Sequence, residues 1–133
     1  MQGMEPVAIV TMLILLQYFI FVLQVGRARV KHGVKAPAIT GAPEFERALR
    51  VQQNTLEQLI VALPALWLFG WYLSPPVAAG LGLVNMLGRG LYSRDYRRDP
   101  AARGRGFAIS QLAQLVLVLG ALAGPALSWF GII

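Results

Sequence analysis

The chain has 133 residues, 56% of them apolar and only 14% charged, against roughly 45–50% and about 25% in an ordinary soluble domain. Twelve basic residues face six acidic ones, for a net charge of +6. This composition excludes a disordered chain. With no Cys and a single His, it also excludes a disulfide scaffold, a cysteine nucleophile and a Cys- or His-rich metal site, so no metal is expected.

The apolar residues come in runs. The first, Pro6 to Val25, holds twenty uncharged residues, about the number a helix needs to cross a bilayer core. Only Glu5 among charged residues precedes it, which does not match the basic start of a secretory signal, so a retained transmembrane helix is expected over about 6–26. The second run, Gln58 to Leu73, is short, but good helix formers extend it back to Glu44, just past Pro43. Pro64 is expected to kink this helix. The third run, Val77 to Tyr92, opens on Pro75-Pro76, and the fourth spans Phe107 to Ile133. The expected helices are therefore about 6–26, 44–73, 76–96 and 106–131, in one domain covering 1–133. Period-2 alternation, which a membrane barrel requires, is missing from the runs. The fold class is all-α: an integral membrane four-helix bundle, left-handed and up-down.

The charges are segregated. Arg27, Arg29, Lys31 and Lys35 follow the first run, and Arg47 and Arg50 begin the second helix. Arg89, Arg94, Arg97, Arg98, Arg103 and Arg105 surround the junction of the third and fourth. By the positive-inside rule both basic connections are cytoplasmic and both termini lie on the far side. These charges sit on turns beside the membrane without an aromatic platform, so no nucleic-acid partner is expected. Lipid headgroups are their simplest contact. Ten of the twelve basic residues are Arg, in an Ala- and Gly-rich chain, a composition that suits the inner membrane of a bacterium with a GC-rich genome.

Polar residues at membrane depth are costly and point to function. Arg50, Asn54 and Glu57 are spaced i, i+4, i+7 and fall within a sector of about 60° on a helix. Arg89, Tyr92 and Tyr96, at i, i+3, i+7, share one face of the next helix, and Arg103 lies seven residues beyond Tyr96. Guanidinium forks, a carboxylate, an amide and two phenols suit a small zwitterionic ligand. Arginines hold its carboxylates, Glu57 its ammonium group, and Asn54 and the phenols its amides. The competing reading is an Arg50–Glu57 ion pair with tyrosines at the membrane interface. Gln17, Gln24, Gln111 and Gln114 read as hydrogen bonds between helices, and Gly80, Gly82, Gly88 and Gly90 as sites of close helix approach. His32 reads as a solvated loop residue.

The stretch Pro43-Glu44-Phe45-Glu46-Arg47-Ala48-Leu49-Arg50-Val51-Gln52-Gln53-Asn54-Thr55-Leu56-Glu57 resembles the signature of the MAPEG family, the membrane-associated proteins in eicosanoid and glutathione metabolism. Arg89-Gly90-Leu91-Tyr92-Ser93-Arg94-Asp95-Tyr96, followed by Arg103, is similar to the same family's third-helix pattern. The likeness is greatest to the branch of leukotriene C synthase, the five-lipoxygenase-activating protein and the microsomal glutathione transferases. It implies a homotrimer with a glutathione site between subunits near the cytoplasmic face. Arg50, Asn54, Glu57, Tyr92 and Tyr96 would hold glutathione, with Arg89 beside them. Arg29 and Gln52 would reach it from the adjacent subunit, and Arg103 would activate the thiol. Val30 and Gln58 depart from the leukotriene C synthase pattern, which has an arginine and a tyrosine there. The implied activity is that of a glutathione transferase or glutathione-dependent peroxidase acting on hydrophobic electrophiles or lipid hydroperoxides that arrive through the bilayer. The alternative is a non-catalytic lipid-binding protein of the same fold. A small multidrug exporter needs an ionisable residue within the first span, and Pro6 to Val25 has none.

Overall fold

The computed structural model describes residues 3–133. The described residues form four long helices and no strand: α1 Glu5–His32, α2 Pro43–Tyr72, α3 Pro75–Arg98 and α4 Gly104–Trp129. A 3₁₀ turn, Pro100–Arg103, links the last two. Proline opens α1, α2 and α3 within the first turn, where a missing N–H costs nothing. Ser74 caps α3, its hydroxyl accepting from the Val77 N–H at 3.3 Å. α1 stops at Gly33, whose left-handed backbone (φ 66°) favours a residue without Cβ. It thus runs beyond the apolar stretch by more than a turn. Arg27, Arg29, Lys31 and His32 stand on the helix rather than in a loop.

Alternate helices run in opposite directions. α2 and α3 pack on each other and on both outer helices, so α1 and α4 lie on opposite sides of the α2–α3 pair. The N-terminus and the α2–α3 turn share one end, and the two basic connections share the other, called here the basic end. α2 continues through Pro64, so the expected kink does not interrupt it. Pro64 lies on the exposed side of the helix.

The core is layered. Away from the basic end, Val7, Val10 and Ile14 of α1 meet Leu66 and Phe69 of α2, Ala78 of α3, and Leu117 and Ala121 of α4. Next comes a buried polar layer. The Ser110 hydroxyl and the Gln114 amide both donate to Asn85 Oδ1, at 3.2 and 3.0 Å. Here α3 and α4 nearly touch. A Cβ on Gly88 would stand 2.6 Å from the Ser110 backbone nitrogen, and one on Gly106 would strike the Tyr92 backbone. Gly82 also faces a crowded site, against Val10 and Leu66, whereas Gly80 faces open space and Gly90 makes only ordinary contact with Gln17. Within one copy, close approach is thus seen at Gly82 and Gly88 and not at Gly80 or Gly90.

Large apolar side chains cover the outside. Ile9, Met12, Phe19, Ile60, Trp71, Leu87, Leu112 and Leu122 are all exposed. A surface this apolar calls for lipid or another protein. α1 and the segment Pro100–Trp129 are each long and apolar enough to cross a membrane. Hydrogen bonds tie the spans together, as the glutamines suggest. Gln17 donates to the Met86 carbonyl at 2.8 Å, and Gln111 to Gln58 at 2.6 Å. Trp67 donates to Thr11 at 2.9 Å. Gln24 instead lines a surface cleft.

Candidate functional site

Arg89 sits one helical turn beyond Asn85, towards the basic end, and is 2% exposed. Its Nη2 donates to Asn54 Oδ1 and to Thr55 Oγ1, both at 2.8 Å. Its Nε and Nη1 are buried without a partner. The guanidinium carbon lies 4.3 Å from the centroid of the Tyr92 ring, a cation–π distance. Tyr92 stacks on Tyr96 at 5.5 Å and leans on Phe107 of α4 at 6.2 Å. The close approach at Gly106 is what lets Phe107 reach Tyr92. Tyr92 is buried, and Tyr96 is partly so.

Arg50 and Glu57 lie on the same α2 face, and both are about half exposed. Arg50 Nη1 reaches Glu57 Oε1 at 3.5 Å. A contact that long between exposed groups contributes little, so both are free to engage a ligand. Arg103 is exposed at the end of the 3₁₀ turn, next to the first turn of α4. Arg89 of α3 reaches both Asn54 of α2 and the Tyr92 ring. The two stripes expected on α2 and α3 therefore meet at the same end of the bundle.

Two expected residues stand apart from this group. Arg29 donates to the Ala38 carbonyl at 2.7 Å and lies over the Phe45 ring at 4.8 Å. Gln52 donates to the Tyr18 hydroxyl at 3.2 Å, on the side of α2 roughly opposite Arg50. Spacing does not single out Thr55, which lies one residue off the Arg50 stripe. Its signal is a buried hydroxyl beside Asn54 with Arg89 as partner.

Nearby charges are paired in ways the sequence alone does not show. Arg105 grips Asp95 through Nε at 2.8 Å and Nη2 at 3.2 Å. The Arg105 guanidinium holds the Asp95 carboxyl below the usual carboxylate range. His32 is not a loop residue: its Nε2 lies 2.9 Å from Glu44 Oε2, and Lys31 reaches the same carboxylate at 3.4 Å. His32 first, then Lys31, lowers the Glu44 pKa.

The result is a polytopic helical membrane protein with a cationic, phenol-lined site at one end of its two inner helices. The profile of the MAPEG family matches residues 7–123, and the chain belongs to that family. It is 51% identical over 115 residues to an uncharacterized protein of Synechocystis, covering 86% of this chain and 84% of the relative. Human microsomal glutathione S-transferase 2 is 44% identical over 116 residues, covering 86% and 79%. Guinea-pig (Cavia porcellus) leukotriene C4 synthase is 40% identical over 116 residues, covering 86% and 77%. Among the described residues no group of His, Cys, Asp and Glu is placed to hold a metal ion.

Proposed function

We propose that the protein is a membrane-bound glutathione transferase that conjugates hydrophobic electrophiles or reduces lipid hydroperoxides. The observation that carries this reading is the meeting of Arg89, Asn54, Tyr92 and Tyr96 with the loosely paired Arg50 and Glu57. The family and the two named relatives that act with glutathione or on leukotrienes support it. The donor set fits a peptide with two carboxylates and one ammonium group. Arg50 takes a carboxylate and Glu57 the ammonium, while Asn54 and the phenols bond amides. Arg89, buried with two nitrogens unpaired, places a cation beneath them.

Glutathione supplies the reacting sulfur, which a chain without Cys cannot provide. A free thiol has a pKa of about 8.5, and adjacent cations bring it to roughly 3.5–7.5. Arg103 remains charged at every working pH and stands where the positive end of the α4 dipole adds to it. In conjugation the thiolate forms a carbon–sulfur bond as the leaving group departs with its electron pair. In reduction, two glutathiones become the disulfide while the hydroperoxide becomes alcohol and water. The apolar co-substrate arrives from the bilayer along the exposed helix faces. The site faces the cytoplasm, where the basic end lies by the positive-inside rule.

The test is glutathione-dependent turnover by purified protein in detergent, with an aryl halide and with a lipid hydroperoxide. Turnover of either supports a transferase or peroxidase. Turnover of neither substrate would point to a lipid-binding role instead.

A further inference from the structure

We infer that the basic end carries a second site, a cleft between α1 and α3 that holds the phosphate of an anionic glycerophospholipid. It consists of two adjoining hollows of about 290 and 490 Å³ that share Gln24, Glu44 and Arg97. From α1 come Arg27 and Lys31; from α3 come Arg94 and Arg98. Glu44, at the start of α2, is the one acid in the lining.

This cleft is separate from the candidate glutathione site. Arg94 and Arg98 project from the side of α3 facing away from Arg89 and Tyr92, and Arg97 lies on the flank between the two sides. The cleft lining and the predicted glutathione set have no residue in common. The inference therefore does not depend on glutathione chemistry.

Three observations carry it. Five cations converge on one concavity against a single carboxylate, and that carboxylate is already engaged by His32 and Lys31. Among the described residues, Arg27, Arg94, Arg97 and Arg98 form no ion pair. Orientation in the membrane needs basic residues near the helix ends, but not their convergence around a hollow. Guanidinium groups that lack a carboxylate suit a phosphate, which they bind bidentately.

The third observation selects lipid over a free anion. Arg27 and Lys31 also border an apolar groove of about 660 Å³, formed by Val22, Leu23, Gly26 and Val30. Polar cleft and apolar groove thus meet at these two side chains. That is the pattern of a molecule with a phosphate at one end and an acyl chain at the other. The cleft lies at the basic end, and its lining extends along α1 and α3 to Phe21 and Gly90.

The experiment titrates detergent-solubilised full-length protein with phosphatidylglycerol or phosphatidylcholine of identical acyl chains, with bound lipid read by native mass spectrometry. Phosphatidylglycerol should bind more tightly. Arg27→Gln and Arg97→Gln should each weaken it about tenfold, the scale of one charge-assisted hydrogen bond. Glu44→Gln should tighten binding, since it removes the only acid, and a merely structural contact would not produce a gain. Lys35→Gln, at the same end but outside the cleft, should change nothing. A large excess of inorganic phosphate should fail to displace the lipid. Equal affinity for the two lipids, or equal weakening by Lys35→Gln, would reduce the cleft to diffuse surface charge and overturn the inference. Full displacement by inorganic phosphate would overturn the choice of lipid, and no gain from Glu44→Gln would overturn the placement of the phosphate.

Discussion

Arg103 and Arg105 are two residues apart and both exposed, yet their surroundings assign them different work. Arg105 is occupied: it grips Asp95, whose side chain is 8% exposed. Arg103 forms no ion pair among the described residues and is free to face a ligand. If it stabilises a glutathione thiolate, Arg103→Ala should return the bound thiol towards its free pKa. Turnover at pH 7 should fall ~10²-fold for a two-unit shift and partly recover at higher pH, with a smaller effect on glutathione affinity. Arg105→Ala should lower thermal stability instead, because it strands a buried carboxylate, so Lys35→Ala is the better charge control. Asp95 is held below its usual pKa by Arg105, so its contribution to stability is full above the unfolded value and is lost as pH falls through the folded one. Asp95→Asn should therefore flatten the acid limb of the melting temperature below about pH 4; an unchanged limb would mean that the pair does not couple folding to pH. Glu57→Gln should weaken glutathione binding by about 1.5–3 kcal/mol, the cost of one charge-assisted hydrogen bond, as measured by calorimetry. The stripes Arg50–Asn54–Glu57 and Arg89–Tyr92–Tyr96 are legible from spacing because helical periodicity fixes which side chains share a face. Thr55 and the Arg105–Asp95 pair are not, because their partners lie across a helix contact and a helix junction.

At the scale of elements, α3 and α4 define the site by how closely they approach. The apolar runs make all four helices visible in sequence. The extra length of α1 is invisible to hydropathy, because its last turns are polar but still helix-forming until Gly33 ends them. Which glycines matter is equally hidden: α3 carries several, and only the packing partner shows which face is crowded. This difference has a measurable sign. Gly88→Ala would press a methyl group onto the Ser110 backbone, and overpacking of that kind costs about 1–3 kcal/mol. It should also loosen Phe107 from Tyr92 and reduce glutathione affinity. Gly80→Ala meets nothing within 4 Å and should stabilise by up to about 1 kcal/mol through helix propensity. Thermal unfolding of the two variants in one detergent would decide it; equal shifts would mean that α3 and α4 have slack at their crossing.

The whole molecule leaves two things unfinished in a single copy. Its outer surface is apolar around the bundle, and two residues of the expected ligand set point away from the rest. Arg29 is turned to Ala38 and Phe45, and Gln52 to Tyr18. Gln52 and Arg50 occupy opposite sides of one helix, so a single subunit cannot bring both to one small ligand. A second copy can, and closed rotational symmetry then repeats the same composite site at every interface. The expected assembly is a trimer, which native mass spectrometry in detergent would count directly. The composite site has a sharper test in mixed assemblies. One parent carries Arg103→Ala, and the other carries Arg29→Ala with Gln52→Ala; each alone should be nearly inactive. In a random mixture, a site is intact when the first parent supplies Arg29 and Gln52 and the second supplies Arg103. With equal amounts this holds for about a quarter of sites in a cyclic assembly. Activity near that fraction of wild type would show that two copies build each site. Activity no higher than the average of the two parents would place the whole site within one subunit and leave Arg29 and Gln52 as purely structural contacts.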